Sequence, residues 1–419
     1  MKVNQWTMGL AAAGVISFGA VAQAEEKPAN QVLTAISGTQ ISGYVSTSVH
    51  WNPSGQAGFA GTGPAYLNNK GDGFNLDVVQ LTFSKPLDEG EWSAGYVAEV
   101  WMGPDANVLG NVIGNGGAGT TSAGAISLAQ GYIALNVPVG NGLTVKVGTF
   151  NTIIGYEGNN SADNPNYSRS WGYTLGPFQH EGVVATYKIA DGVSLTAGIA
   201  NRQDTGLQSV AVRTPGRIVG NNVLSGAGAG TGVQSQKTYM AAISLTAPDS
   251  WGFLKGATLN AGVVDGISAN VGNSGIIPDI TNIHVSANIP TPIESIKLGF
   301  AWDHIQVTGN NATGVISDTD VCAFYASFSN LGIEKLKLNT RLEYLSLGEA
   351  TSPADDPNVV TLTATLEYPL WANVLSRLEY RWDHDATGAR SGPGQARSGV
   401  VGGGANNVHL LALNLVYKF

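Results

Sequence analysis

Apolar and polar side chains alternate along most of this chain, from Gln40 to its last residue. A period of two sends successive side chains to opposite faces of an extended backbone, so each such stretch predicts a β-strand with one apolar face. The pattern predicts strands at 40–50, 75–85, 91–101, 126–137, 142–150, 179–189, 193–201 and 237–247, and then at 256–264, 281–289, 295–307, 319–329, 334–347, 358–368, 373–383 and 407–418. Most come close to the ~9–11 residues that a tilted strand needs to cross a bilayer.

The connections alternate too. KPLDEG, PVGN, ADG, APDSWGFLK, PTPIE, NLGI and PLWA are short, and between them lie longer stretches, from 51–74 to 384–406. Short turns at one end and long loops at the other predict a transmembrane antiparallel β-barrel of about 16 strands, with periplasmic turns and extracellular loops. An even strand number follows if both termini are periplasmic. Closure has a physical cause, because an open sheet edge in lipid leaves backbone N–H and C=O groups unpaired at several kcal/mol each. A barrel of about eight strands is filled by its own side chains, whereas about sixteen leave an aqueous lumen.

Alternation also sorts the two faces of the wall. Lys337, Asn339, Arg341 and Glu343 oppose Leu336, Leu338, Leu342 and Tyr344, and Thr361, Thr363, Thr365 and Glu367 oppose Leu362, Ala364, Leu366 and Tyr368. Arg377, Glu379, Arg381 and Asp383 likewise oppose Leu378, Tyr380 and Trp382. A Lys or Arg on the lipid face costs ~2–4 kcal/mol near the midplane, so the charged faces are expected to line the lumen. Tryptophans near strand ends, among them Trp51, Trp92, Trp251, Trp302 and Trp371, suit interfacial girdles.

One long connection differs from the rest. The stretch 151–178 carries Tyr156, Glu157, Asp163, Tyr167, Arg169, Trp171, Tyr173 and Phe178, where the other loops are mostly Gly, Ala, Ser, Thr and Asn. Such a composition predicts a loop that folds against something, and the expectation is that it turns into the lumen.

The ends bound the compartment. Met1 and Lys2, an apolar run from Met8 to Val21, and Ala22-Gln23-Ala24 read as a cleavable secretory leader over 1–24. A short periplasmic segment, 25–39, would precede a barrel over 40–419. The last strand ends in Tyr417-Lys418-Phe419, similar to the terminal signal of bacterial outer-membrane proteins, so Phe419 is expected to be read by the barrel-assembly machinery. Charged residues make up only 12%, low for a soluble chain, and the single Cys322 leaves no internal disulfide to form. Net charge is −9, which argues against a nucleic-acid partner.

No catalytic, cofactor or metal constellation is expected. Gly-rich runs such as GNGGAG lack the lysine of a phosphate loop. Two Trp-Asp-His triplets, at 302–304 and 382–384, read as girdle tryptophans beside rim polar residues. His180, His284 and His409 show no local partner pattern.

Several stretches resemble the OmpL-like β-barrel porin family. They are SGYVSTS at Ser42–Ser48, the segment QGYIALNVPVGNGLTVKVG, Gly148-Thr149-Phe150, TIIGYE from Thr152 to Glu157, NPNYSRS from Asn164 to Ser170, and Pro177-Phe178 with His180 and Gly182. Glu181 stands where the family often has Thr. The resemblance implies an outer-membrane channel in contact with outer-membrane lipids, passing small hydrophilic solutes or ions. By analogy with diffusion porins it implies a homotrimer and a third loop that narrows the lumen. Glu157, Asp163 and Arg169 are then expected at the constriction, facing Arg341, Arg377 and Arg381 across a transverse field. Two other readings remain: a surface-binding or adhesion barrel with a closed lumen, and a barrel-borne hydrolase.

Overall fold

A computed structural model describes residues 38–53, 70–88, 92–109, 126–203, 218–219, 222–223, 237–267, 278–309, 315–349, 358–386 and 407–419. The expected leader and residues 25–37 lie outside the described residues.

Each predicted strand has a counterpart. They are β1 (Gln40–Trp51), β2 (Gly73–Lys85), β3 (Ser93–Met102), β4 (Ile126–Val137), β5 (Leu143–Asn151), β6 (Gln179–Ala190), β7 (Val193–Ala200) and β8 (Thr238–Thr246). The series continues with β9 (Thr258–Ile267), β10 (Pro278–Pro290), β11 (Ile296–Gly309), β12 (Val315–Ser329), β13 (Lys337–Glu349), β14 (Asn358–Trp371), β15 (Val374–Asp385) and β16 (Asn407–Lys418). Each of these strands pairs antiparallel with the next one named, and the ring closes where β1 meets β16, from Tyr44 opposite Lys418 to Trp51 opposite Leu411; a two-residue pair, 218–219 with 222–223, stands outside the ring. A bond from the Gly43 amide to the Phe419 carbonyl, and one back from the Phe419 amide to the Gly43 carbonyl, extend that seam to the last residue.

The connections at the end where the last strand finishes run from two residues to the eleven of 247–257. Ala372 and Asn373 alone join β14 to β15, with Asn373 at φ +66°, a left-handed conformation that Asn tolerates better than most residues. The opposite end carries the longer loops, including 152–178 between β5 and β6.

The two faces separate as alternation requires. Leu342, Leu362, Leu366, Leu378, Leu413 and Leu415 point outward and are all exposed to the surroundings, as a lipid-facing band must be. Their neighbours Arg341, Glu343, Thr361, Thr363, Thr365, Arg377, Glu379, Arg381 and Asp383 point inward and are at most 1% exposed. Burial this complete inside a wide barrel means that something covers them.

β2 breaks the alternation once. Its register against β1 slips between Ser46 and Thr47, so Ser46 faces Val78 and Thr47 faces Leu76. The extra residue in this bulge is Asp77, and both Asp77 and Val78 end up fully buried.

Candidate functional site

The inward face of β13–β15 is laid out in rows by the cross-strand register. Arg341, Thr363 and Arg381 form one row, Glu343, Thr361 and Asp383 the next, and Asn339, Thr365 and Glu379 lie on the other side. Arginines and carboxylates therefore alternate along β15, Arg341 and Glu343 are neighbours on β13, and a β14 threonine separates the two outer strands in each row. Arg341 donates from Nε to Glu343 at 2.7 Å, and Arg381 donates to Asp383 through Nε and Nη2. Thr361 donates to Asp383 and Thr365 to Glu379, which orders the carboxylates as acceptors.

Loop 152–178 lies across this lattice and meets it largely through its own backbone. Glu379 accepts from the Tyr167 amide at 2.6 Å and the Ser168 amide at 2.9 Å, and Glu343 accepts from the Trp171 amide at 2.6 Å. Arg341 donates to the Ser168 and Arg169 carbonyls, Arg381 to the Arg169 carbonyl, and Arg377 to the Ser161 and Ala162 carbonyls. Asn339 reaches the Pro165 carbonyl. An irregular segment cannot satisfy its peptide groups internally, and here the wall does so for it. The segment closes with the short helix α1 (Trp171–Leu175), capped by the Ser170 hydroxyl accepting from the Tyr173 amide. Trp171 drops its indole N–H onto Thr361 and lies under the Arg381 guanidinium, 5.5 Å from the ring centroid.

Other anchors pin the loop around the lumen. Tyr156 stacks on Tyr325 with ring centroids 4.1 Å apart and donates to Asn288. Its hydroxyl lies against Gly299, where a Cβ would overlap it. Ile154 packs similarly against Gly262 on β9. On the far side, the Tyr167 hydroxyl meets His50 at 2.8 Å, Ser48 at 3.0 Å and Asp77 at 2.9 Å. Asp77 also accepts from Ser46, Ser48 and Asn414, and pairs with Lys70 at 3.1 Å. Lys70 reaches Asp105 at 2.6 Å. Burial alone would push the Lys70 ammonium down, but Asp105 and Asp77 outweigh it and hold the group above the ordinary lysine value.

The expected constriction residues divide. Glu157 and Arg341 form an ion pair at 3.0 Å, with both side chains at most 1% exposed. Arg169 is fully buried, donating to the Asn159 carbonyl at 2.7 Å and stacking over Tyr173. Glu157 and Arg341, expected to face each other at the constriction, are in direct contact. The reason is that loop backbone lies directly on the arginines. Asp163 stands apart, half exposed, bonded to Lys418 at 2.8 Å near the end of the barrel that holds the termini.

Sequence reading missed Lys70, Asp77 and Asp105. Asp77 enters the lumen only through the bulge, and the Lys70–Asp105 contact joins two separate loops. It also missed two histidine pairings. Asp303 Oδ1 accepts from His284 Nδ1 at 2.6 Å on the inward face, while His304 lies outward beside Asp318 and Asp320. Strand alternation thus splits the triplet 302–304 between the two sides of the wall.

The inward face of β5–β9 is left more open. Thr144, Lys146, Thr186, Lys188, Ser194, Thr196, Ser244 and Asn260 are only part-buried there.

The family model described as "Putative beta-barrel porin-2, OmpL-like" matches residues 38–419. The chain belongs to this porin family. Solved porin-type barrels share its fold at low identity. The outer-membrane channel DcaP of Acinetobacter baumannii superposes with a TM-score of 0.58 at 12% identity, covering 91% of this chain and 97% of its own. OmpF of Salmonella typhi, solved in complex with daunomycin, gives 0.53 at 12% identity over 91% of this chain and 97% of its own. OmpT of Vibrio cholerae, described as a trimer form, gives 0.55 at 13% identity over 91% and 99%. No curated protein matches the sequence. This protein is accordingly an outer-membrane porin, a bacterial β-barrel channel.

Proposed function

We propose that this porin is a passive diffusion channel for small hydrophilic solutes and ions, in which loop 152–178 sets the narrowest passage. The observation that carries this is the fixing of the loop backbone by the wall, through Glu343, Glu379, Arg341, Arg377 and Arg381. A loop held at so many peptide groups has a fixed outline, and a fixed outline gives a reproducible size limit. In this reading Glu157, Arg169 and the three wall arginines act as the clamp that shapes the constriction. Asp163 stands at its edge. Solutes pass between the loop and the part-buried polar face of β5–β9, where the Lys146 ammonium lies 4.6 Å over the Tyr132 ring as a part-buried cation.

The leader over 1–24, the periplasmic segment 25–39, recognition of Phe419 by the assembly machinery, embedding among outer-membrane lipids and a homotrimeric assembly belong to the same proposal, and no catalytic role is assigned. A homotrimer is supported by the trimer form of OmpT of Vibrio cholerae, one of the structural neighbours.

Liposome swelling with sugars of increasing size tests the reading. Uptake that falls sharply with solute size supports a loop-defined aperture. Liposomes that stay impermeable to the smallest sugar, with the protein folded in their membrane, would favour the surface-binding alternative.

A further inference from the structure

We propose that His304, Asp318 and Asp320, on the outward face of the barrel near its extracellular rim, form a binding site for a divalent transition-metal ion of the Zn²⁺ type. His304 lies on β11 directly opposite Asp320 on β12, and Asp318 lies two residues further on the same face. The His304 Nδ1 stands 3.2 Å from Asp320 Oδ1 and 3.4 Å from Asp318 Oδ1, and one ligand atom of each residue lies within 4.8 Å of the others.

The distances separate two explanations of this cluster. A strong hydrogen bond between an imidazole and a carboxylate is short, about 2.7–2.9 Å. The same chain shows such closeness at His284 and Asp303, 2.6 Å apart. His304 meets Asp320 only in a longer hydrogen bond of 3.2 Å and stands almost equally far, 3.4 Å, from Asp318. The edge of a tetrahedron with metal–ligand bonds of about 2.0–2.1 Å is about 3.3–3.4 Å long, close to the two separations of His304 from the carboxylates. One imidazole with two carboxylates suits Zn²⁺ or its neighbours better than Mg²⁺, which prefers oxygen ligands and keeps its waters.

The surroundings support a held ligand set. The Trp302 indole N–H donates to Asp320 Oδ1 at 3.0 Å, and its ring stacks on His304 with centroids 6.0 Å apart. A hydrogen bond to a ligating carboxylate fixes its orientation, and such partners matter to affinity. His304 and both aspartates are part-exposed, so the fourth corner opens to solvent and takes a water. A metal there would staple β11 to β12 beside the connection 310–314, at the level where outward tryptophans mark the membrane interface.

The test uses tag-free, full-length protein folded in detergent and stripped with chelator, titrated with ZnCl₂ and separately with MgCl₂ in a calorimeter. The expected result is about one tight Zn²⁺ per chain, no comparable Mg²⁺ binding, and Zn²⁺ affinity falling in Asp320→Asn and in His304→Ala by more than the roughly 10–100-fold that loss of an outer partner alone brings. A His384→Ala/His409→Ala double variant removes two histidines elsewhere in the fold and should bind as the wild type does. Circular dichroism and conductance confirm that each variant is folded. Absence of Zn²⁺ binding by wild type, equal binding by His304→Ala, or loss of the site in the His384/His409 variant would each overturn the proposal.

Discussion

Arg341 is the side chain on which loop and wall depend most. It is fully buried, pairs with Glu157 and Glu343, and donates to two loop carbonyls. Removing one member of a buried charged pair strands the others without water or a partner, at about 3–5 kcal/mol. Arg341→Ala should therefore lower the unfolding free energy by about that amount, whereas Glu157→Gln, which keeps an oxygen toward the guanidinium, should cost less. Denaturant unfolding of detergent-folded protein measures both, and a loss of under about 1 kcal/mol for Arg341→Ala would contradict the clamp. Gly299 makes the complementary case, since any Cβ there meets the Tyr156 hydroxyl. Gly299→Ala should push Tyr156 off Tyr325 and expose 152–178 to limited proteolysis, while leaving the barrel resistant. Cleavage no faster than in wild type would show that this anchor is dispensable.

At the scale of elements, the strand is the unit that alternation governs. Leu378 on β15 faces lipid while Arg377 and Glu379 beside it face inward, so the same strand tolerates charge at one parity only. Leu378→Lys should cost ~2–4 kcal/mol in bilayer-embedded protein. Folding efficiency into vesicles reads this directly, and unchanged folding would argue against lipid contact at that position. This regularity is why the strands and the inward charges of β13–β15 were legible from sequence alone. The strands 126–137 and 407–418 match their predicted bounds, and the others differ by a few residues at their ends. What alternation could not carry was the bulge in β2, where the two successive residues Asp77 and Val78 both turn inward. Nor could it carry contacts between loops, such as Lys70 with Asp105, which no periodicity encodes. The aromatic and charged content of 152–178 pointed to a packed loop. That the loop would be bound by its backbone was not readable, since peptide groups leave no mark in a sequence.

At the scale of the whole molecule, closing the sheet satisfies every wall and leaves a lumen too wide for the wall's own side chains to fill. The loop occupies part of that space and covers the arginine and carboxylate rows completely. The balance is between a barrel whose stability comes from its strands and a constriction whose position comes from a few charged side chains. Those two parts should separate experimentally, because Glu379 and Arg381 serve the loop while the strand ladder on either side of them is intact.

Single-channel conductance in planar bilayers, comparing wild type with Glu379→Ala/Arg381→Ala, tests the central claim most directly. The account predicts stable open steps from wild type and larger, noisier steps from the variant, with its barrel still folded. Silence from folded wild type, or steps of the same size in both proteins, would contradict it.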